Sequence, residues 1–190
     1  MTILRPSSED QLIEQAKEGN YSSFEKLVKR YQKVIYNLAY RIVKNHDAAD
    51  EVAQETFIKS FYALKSFKSG HSFYSWIYRI CINLGLNYLK KESFTISESS
   101  FEQTNSPIDL VVERDNPEAL LAKKELSDKI ENQIDSLPPK LKSVLILKVF
   151  EDLSYEEIAK ILKISKGTVM SRLFRARKRL IQNLKEYIQG

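Results

Sequence analysis

The sequence predicts an all-α protein of two small helical domains joined by a flexible linker. Three observations predict it. Glycine and proline are scarce, five of each in 190 residues, while Glu, Lys, Leu, Ile and Ala recur in runs that favour helix. Apolar residues repeat at spacings of three and four through residues 8–92 and again through 117–188. Between them, residues 93–116, "SFTISESSFEQTNSPIDLVVERDN", break that period and are rich in Ser, Asn and acids, as a linker is. The expected division is a first domain over 1–92, a linker over 93–116 and a second domain over 117–190.

The helices follow in order. "SSEDQLIEQAKEGN" sets Ser8 three residues before Gln11, a capping-box spacing, and Gly19-Asn20 stops the helix. "YSSFEKLVKRYQKVIYNLAYRIVK" carries Phe24, Leu27, Val28, Tyr31, Ile35 and Leu38 on one stripe. "HDAADEVAQETFIKSFYALKSF" is a third helix, "KSGHS" a loop, and Ser72 can cap a fourth helix that starts near Phe73. In the second zone Pro117 opens a helix, and so does the Pro138-Pro139 pair of "PPKLKSVLILKVFEDL". Ser154 and Glu157 are at capping-box spacing before "IAKILKI". "SKGTVMSRLFRARKRLIQNLKEYI" is the last helix, so each zone has about four.

The formal charge of +5 is unevenly spread. From Lys160 onward there are nine Lys/Arg and one acid, so the preceding residues sum to −3. A basic C-terminal segment on a mildly acidic body suits a polyanionic partner. A single cysteine, Cys81, excludes an internal disulfide and a multi-cysteine metal site, and His46 and His71 fit no ligand spacing. No Gly-rich phosphate loop, histidine-carboxylate cluster or nucleophile motif is present, so neither an enzyme nor a cofactor is expected. No signal-like or membrane-spanning apolar run is found, and a soluble cytoplasmic protein is the expectation.

"SYEEIAKILKISKGTVMSRLFRARKRL" has the anatomy of a helix-turn-helix: a short helix, the tight turn "KIS" and a second, basic helix. Val169, Leu173, Ala176 and Leu180 form its core stripe. The opposite face presents Thr168, Ser171, Phe174, Arg175 and Lys178, flanked by Arg172 and Arg179 on one side and Arg177 on the other. Arg can donate twice to a guanine edge, Ser or Thr can reach base or phosphate, and Phe can touch a thymine methyl. Gly167 and the helix N-terminus admit a phosphate.

In residues 73–90, Phe73, Ile77, Ile80 and Leu84 make the apolar stripe. Trp76, Arg79, Asn83, Asn87 and Lys90 align on a neighbouring face that combines an indole, two amides and two cations. Such a face suits unstacked bases: a ring to stack on, amides for base edges and cations for phosphates. Tyr74 and Tyr78 are expected to pack at or near the core, and Cys81 to be a small buried filler.

Over about four-fifths of its length the chain resembles the bacterial RNA polymerase sigma factors, in the compact two-domain extracytoplasmic-function (ECF) group. "DAADEVAQETFIKSFYALKSF" resembles the helix that docks on the clamp of the polymerase β′ subunit. "SFYSWIYRICINLGLNYLKK" resembles the −10 element helix, and "LPPKLKSVLILKVFEDLSYEEIAKILKISKGTVMSRLFRARKRL" the −35-binding domain. The resemblance implies sigma region 2 in the first domain and sigma region 4 in the second. It implies core-polymerase binding through Asp50, Glu51, Gln54 and Glu55. It implies −10 recognition and melting through Ser66, Phe67, Lys68, Trp76, Arg79, Asn83, Asn87 and Lys90, with a base-capture loop at 66–72 and Asn83 as base reader. It implies −35 reading through Lys166, Thr168, Ser171, Arg172, Phe174, Arg175, Lys178 and Arg179. Met170 departs from the pattern where a basic residue is common, and Asn87 where an Asp is common. The implied partners are core RNA polymerase (β′ clamp and β flap), promoter DNA and an anti-sigma factor, in some relatives membrane-anchored. The alternative is a helix-turn-helix activator or repressor that binds duplex DNA without being a polymerase subunit.

The 24 linker residues can extend to roughly 80 Å. A promoter spacer of about 16 base pairs, typical of the family, spans about 55 Å.

Overall fold

A computed structural model describes residues 8–68, 71–95 and 117–188. Its described residues form eight α-helices and no strand. The chain divides into two compact units, within Met1–Glu98 and Ser99–Gly190.

In the first unit, α1 (Ser8–Lys17) lies against α2 (Tyr21–Val43), which packs with α3 (His46–Ala63) and α4 (Phe73–Thr95) as a three-helix core. Gly19, at φ +99, breaks the chain after α1 in the left-handed region that glycine tolerates. Asn20 then caps α2 by accepting from Ser23 N at 3.1 Å, and Asn45 caps α3 by accepting from Ala48 N at 2.9 Å. Asn20, expected as part of the stop after α1, is the N-cap of the next helix. Ser8 is already helical, so it is not the residue preceding the helix that a capping box requires. Ser72 does cap α4, accepting from Ser75 N at 3.2 Å. α4 runs to Thr95, three residues into the expected linker. Residues 96–116 lie outside the described residues.

The expected α2 stripe is the core face: Leu27, Tyr31, Ile35 and Leu38 are buried, with Phe24 and Val28 half-buried at its edge. Against it α4 sets Phe73, Ile77, Tyr78 and Cys81. The Cys81 thiol lies 3.7 Å from the Ile35 carbonyl, and Gly85 lets α4 come close to Ile42. α1 buries Ile13 and Ala16, and polar ties fasten it to α2. Glu9 accepts from the Tyr31 hydroxyl at 2.8 Å and from Arg30 at 3.0 Å, and Ser23 Oγ donates to Gln15 at 2.7 Å.

In the second unit, α8 (Lys166–Ile188) is the hub against which α5 (Pro117–Asp135), α6 (Pro139–Val149) and α7 (Tyr155–Leu162) pack. α5 and α6 start at the prolines that the sequence singled out, Pro139 taking the first turn of α6. Val144, Leu147, Ile158, Ile161, Val169, Leu173 and Ala176 are the core, and Leu180 is half-buried at its margin. Lys142, 4% exposed, is paired with Asp135 at 2.9 Å.

Candidate nucleic-acid and polymerase interfaces

The helix-turn-helix is fixed at both ends by short-range capping. Ser154 Oγ accepts from Glu157 N at 3.2 Å, and the Glu157 carboxylate accepts from Ser154 N at 2.8 Å, closing the expected capping box. The Ser154 hydrogen bonds hold the Glu157 carboxyl below the ordinary glutamate range. Lys163 ends α7 in the left-handed conformation, φ 52. Ser165, read from sequence only as a turn residue, caps α8 by accepting from Thr168 N at 3.1 Å.

This geometry divides α8 as the helical wheel does. Ser171, Phe174, Arg175, Lys178 and Arg179 are exposed, Arg172 and Thr168 half-exposed. Phe174 is 69% exposed, far more than a packing role accounts for. Thr168, Ser171, Arg172, Arg175, Lys178 and Arg179 line one groove of about 680 Å³. Two expected residues stand outside it. Phe174 is not among the lining residues, and Lys166 donates to Glu156 of α7, whose carboxyl it holds below the ordinary range. The hydroxyls expected to meet DNA already have internal partners: Thr168 Oγ1 is 2.8 Å from Ser165 Oγ, and Ser171 Oγ donates to the Thr168 carbonyl at 3.0 Å. Each keeps acceptor capacity for a further bond.

The groove also contains Pro138, Lys140 and Leu141 from the start of α6, and Gln182. Sequence reasoning missed Lys140. A wheel drawn on α8 alone cannot reveal it, because it arrives from another helix. The available signal was a lysine directly after Pro138-Pro139, in the first turn of a helix.

In the first unit, Phe67, Phe73 and Trp76 form a ring triangle, with centroids 5.1 Å apart for Phe67–Trp76, 5.5 Å for Phe73–Trp76 and 5.7 Å for Phe67–Phe73. Tyr31 adds a fourth ring 5.4 Å from Phe73, and Lys17 Nζ stands 5.5 Å from the Phe67 centroid. Phe67 corrects the sequence expectation. It is 6% exposed, so its ring is packed within this cluster and does not stand open to solvent as the expectation required. Trp76 is half-exposed at the edge of the same cluster. Asn83, Asn87 and Lys90 continue outward along α4 as exposed residues, with Arg79 half-exposed beside them. Ser66 and Lys68 are exposed, while residues 69 and 70 of the loop lie outside the described residues. Tyr78 is buried and Tyr74 half-buried, as packing predicts.

On α3, Asp50, Glu51 and Gln54 are exposed, and Glu55 pairs with Lys59 at 2.9 Å. Neighbouring helices flank this acidic face. Burial, with Asp50 among the nearby negative charges, pushes the Tyr36 hydroxyl of α2 up. Burial, then Glu92 and Glu51, does the same to Tyr88 of α4. The Tyr36 hydroxyl is also 2.6 Å from His46 Nδ1, with Tyr40 stacked on His46 at 4.5 Å.

Residues 27–95 match sigma-70 region 2, and residues 127–180 match sigma-70 region 4. The chain is 37% identical to the ECF RNA polymerase sigma-E factor of Escherichia coli (strain K12), over 94% of this chain and 95% of that protein. This chain belongs to the ECF sigma factors of the sigma-70 family. It is an alternative sigma factor of transcription initiation, and the reading as a regulator outside the polymerase is set aside. The RNA polymerase sigma-H factor of Pseudomonas aeruginosa is 33% identical, over 98% of this chain and 99% of that one. The fold is also that of CnrH in complex with the cytosolic domain of CnrY (TM-score 0.68, 23% identity, 95% and 99% covered). It is likewise that of the sigma factor RpoE from Bartonella quintana, solved with the anti-sigma factor NepR (TM-score 0.66, 22% identity, 85% and 96% covered).

Two structural features of this sigma factor lie before its region 2 match. α1 precedes residue 27, yet it supplies Glu9 to Tyr31 and Lys17 to Phe67. Among the described residues no helix is long and apolar enough to cross a membrane, and no cluster of His, Cys, Asp and Glu could hold a metal ion.

Proposed function

We propose that this sigma factor docks on the β′ clamp of core RNA polymerase through Asp50, Glu51, Gln54 and Glu55. Its first unit opens the −10 element, and its second unit reads the −35 element through α8 while contacting the β flap. The observation that carries the −35 assignment is the groove in which Lys140, Arg172, Arg175, Lys178 and Arg179 converge. Five cations from two helices in one concavity are costly unless an anion lies among them, and a DNA backbone supplies several. Phe174 stands on the same helix, exposed for contact with a thymine methyl.

At the −10 end, Trp76 offers one ring face to an unstacked base, Asn83 reads that base, and Asn87, Arg79 and Lys90 meet the neighbouring strand. Ser66 and Lys68 border the capture loop. Residues 96–116 join the modules. Even these 21 residues can extend to roughly 70 Å, more than the spacer requires. An anti-sigma factor that covers these faces would keep the protein inactive, and the partner-bound states of CnrH and RpoE support that reading.

The test is run-off transcription with sigma-free core polymerase on a randomised promoter library, with and without the protein. New start sites preceded by paired −35 and −10 elements are the expected result. Duplex binding without any new start site would overturn the proposal.

A further inference from the structure

Two lines of contact run from α1 to Trp76. At the C-terminal end of α1, Lys17 Nζ stands over the Phe67 ring, 5.5 Å from its centroid, and Phe67 packs on Trp76 at 5.1 Å. At the other end, Glu9 accepts from the Tyr31 hydroxyl at 2.8 Å. The Tyr31 ring lies 5.4 Å from Phe73, and Phe73 lies 5.5 Å from Trp76. Glu9 and Lys17 stand about 12 Å apart along the helix axis, so α1 brackets the cluster. Ile13 and Ala16, buried between those ends, anchor it. α1 lies wholly before residues 27–95, which match sigma-70 region 2.

Packing alone does not account for the lysine. Its side chain is only 15% exposed, and Glu14 holds the ammonium at 2.8 Å. A methionine could cover the Phe67 ring without desolvating a charge. What the ammonium adds is direction, because a cation is drawn to the face of a ring. Phe67 has use for such a hold: it follows the short 3₁₀ turn Leu64–Ser66 and has no helix of its own to fix its ring.

We propose that α1 is a splint for the Trp76 stacking site, with Lys17 and Tyr31 as positioning residues. The inference rests on the reading of Trp76 as the ring that holds an opened base. Neither positioning residue touches DNA; Lys17 acts through Phe67 and Tyr31 through Phe73. Stacking a base and extruding it nearly balance, so a small loss of order in the receiving ring shortens the open state.

The experiment uses full-length protein assembled with core polymerase, on a promoter from the run-off library that carries 2-aminopurine in its −10 element. The fluorescence after heparin challenge gives the lifetime of the open state. Lys17→Met should shorten it about fivefold, and Lys17→Arg should restore it to within about twofold of wild type. Tyr31→Phe keeps the ring, cuts the tie to Glu9 and should shorten it by about twofold or more. Polymerase affinity and −35 duplex binding stay at wild-type values in all three. A purely structural lysine would instead lower the melting temperature, followed by circular dichroism, and the polymerase affinity together, with no rescue by arginine; that result overturns the proposal. If Trp76→Ala shortens the lifetime while Lys17→Met and Tyr31→Phe match wild type, the inference falls and the stacking reading stands. If Trp76→Ala also matches wild type, both fall.

Discussion

Gly85→Ala tests how closely α2 and α4 must approach. A Cβ at position 85 would stand 2.8 Å from Ile42 Cγ2, 3.3 Å from its Cβ and 3.4 Å from its Cδ1. Carbon atoms rest at about 3.5 Å or more, so the helices or Ile42 must give by roughly 0.7 Å. Ile42 is 1% exposed, and a β-branched side chain in a helix has one strongly preferred rotamer. Relief must therefore come from backbone movement, and overpacking of this kind costs about 1–3 kcal/mol. Against it stands the helix propensity gained by replacing glycine with alanine, about 1 kcal/mol. The net expectation is a loss of about 1 kcal/mol, or about 4–8 °C in Tm for a unit of this size. Trp76 is the only tryptophan in the chain and lies in the first unit, so its fluorescence reports that unit's melting. On an Ile42→Ala background the same substitution should raise Tm, because propensity then acts unopposed. A rise in Tm on the wild-type background would refute the steric argument.

Three further outcomes follow from other contacts. Arg175→Ala should weaken binding to the preferred −35 duplex by about 1–3 kcal/mol if the guanidinium reads a base, or lower the salt slope by about 1 if it meets a phosphate; unchanged binding would remove Arg175 from the interface. Asp135→Ala removes from the buried Lys142 its carboxylate partner at 2.9 Å and should lower stability, whereas adding Lys142→Met should restore part of the loss in a denaturant titration. Burial and the hydrogen bond to Glu9 raise the Tyr31 hydroxyl well above its ordinary value of 10.0. The folded state then holds this proton after the unfolded chain has released it. Stability is therefore full below about pH 10 and falls as pH rises beyond it, and Tyr31→Phe should flatten that alkaline decline in a pH series of melts.

What could be read from sequence depended on whether a residue's fate is decided within its own helix. The Ser72 cap, the Pro117 and Pro139 starts, the Ser154–Glu157 box and the division of α8 into core and exposed faces are all local, and periodicity or spacing exposes them. Phe67 is not local. It follows the short 3₁₀ turn Leu64–Ser66, where no helical period applies, and its burial results from Phe73 and Trp76 on α4 together with Lys17 on α1. Lys140 joins the basic groove of the second unit only because α6 packs on α8. Ser165 and Asn20 went unread as caps because each also fits a turn, and only the hydrogen bond to the third residue on decides between the two. α4 exceeds its expected end because "SFT" lacks a breaker: no glycine or proline follows Lys91 until Pro107.

The two sites proposed to meet DNA differ in how they would hold it, and this bears on why neither should act alone. Around Trp76 the aromatic cluster is already assembled, so stacking a base on it would order little further. That stacking returns about 1–3 kcal/mol, against a few kcal/mol to extrude the base. The first unit can thus retain an opened base without opening DNA by itself. In the second unit, five cations share one groove. If each neutralises one phosphate, the logarithm of the binding constant falls with slope near −4.5 against the logarithm of salt concentration, so the groove's grip weakens steeply as ionic strength rises. Each site is consequently marginal alone for a different reason, one by the cost of base extrusion and the other by screening. Tethering both to a polymerase that holds the promoter replaces two weak encounters with one intramolecular engagement, and effective concentration raises avidity without any new contact. A sigma factor built this way has little need of strong DNA binding when free, and its occupancy of promoters then follows its affinity for the polymerase.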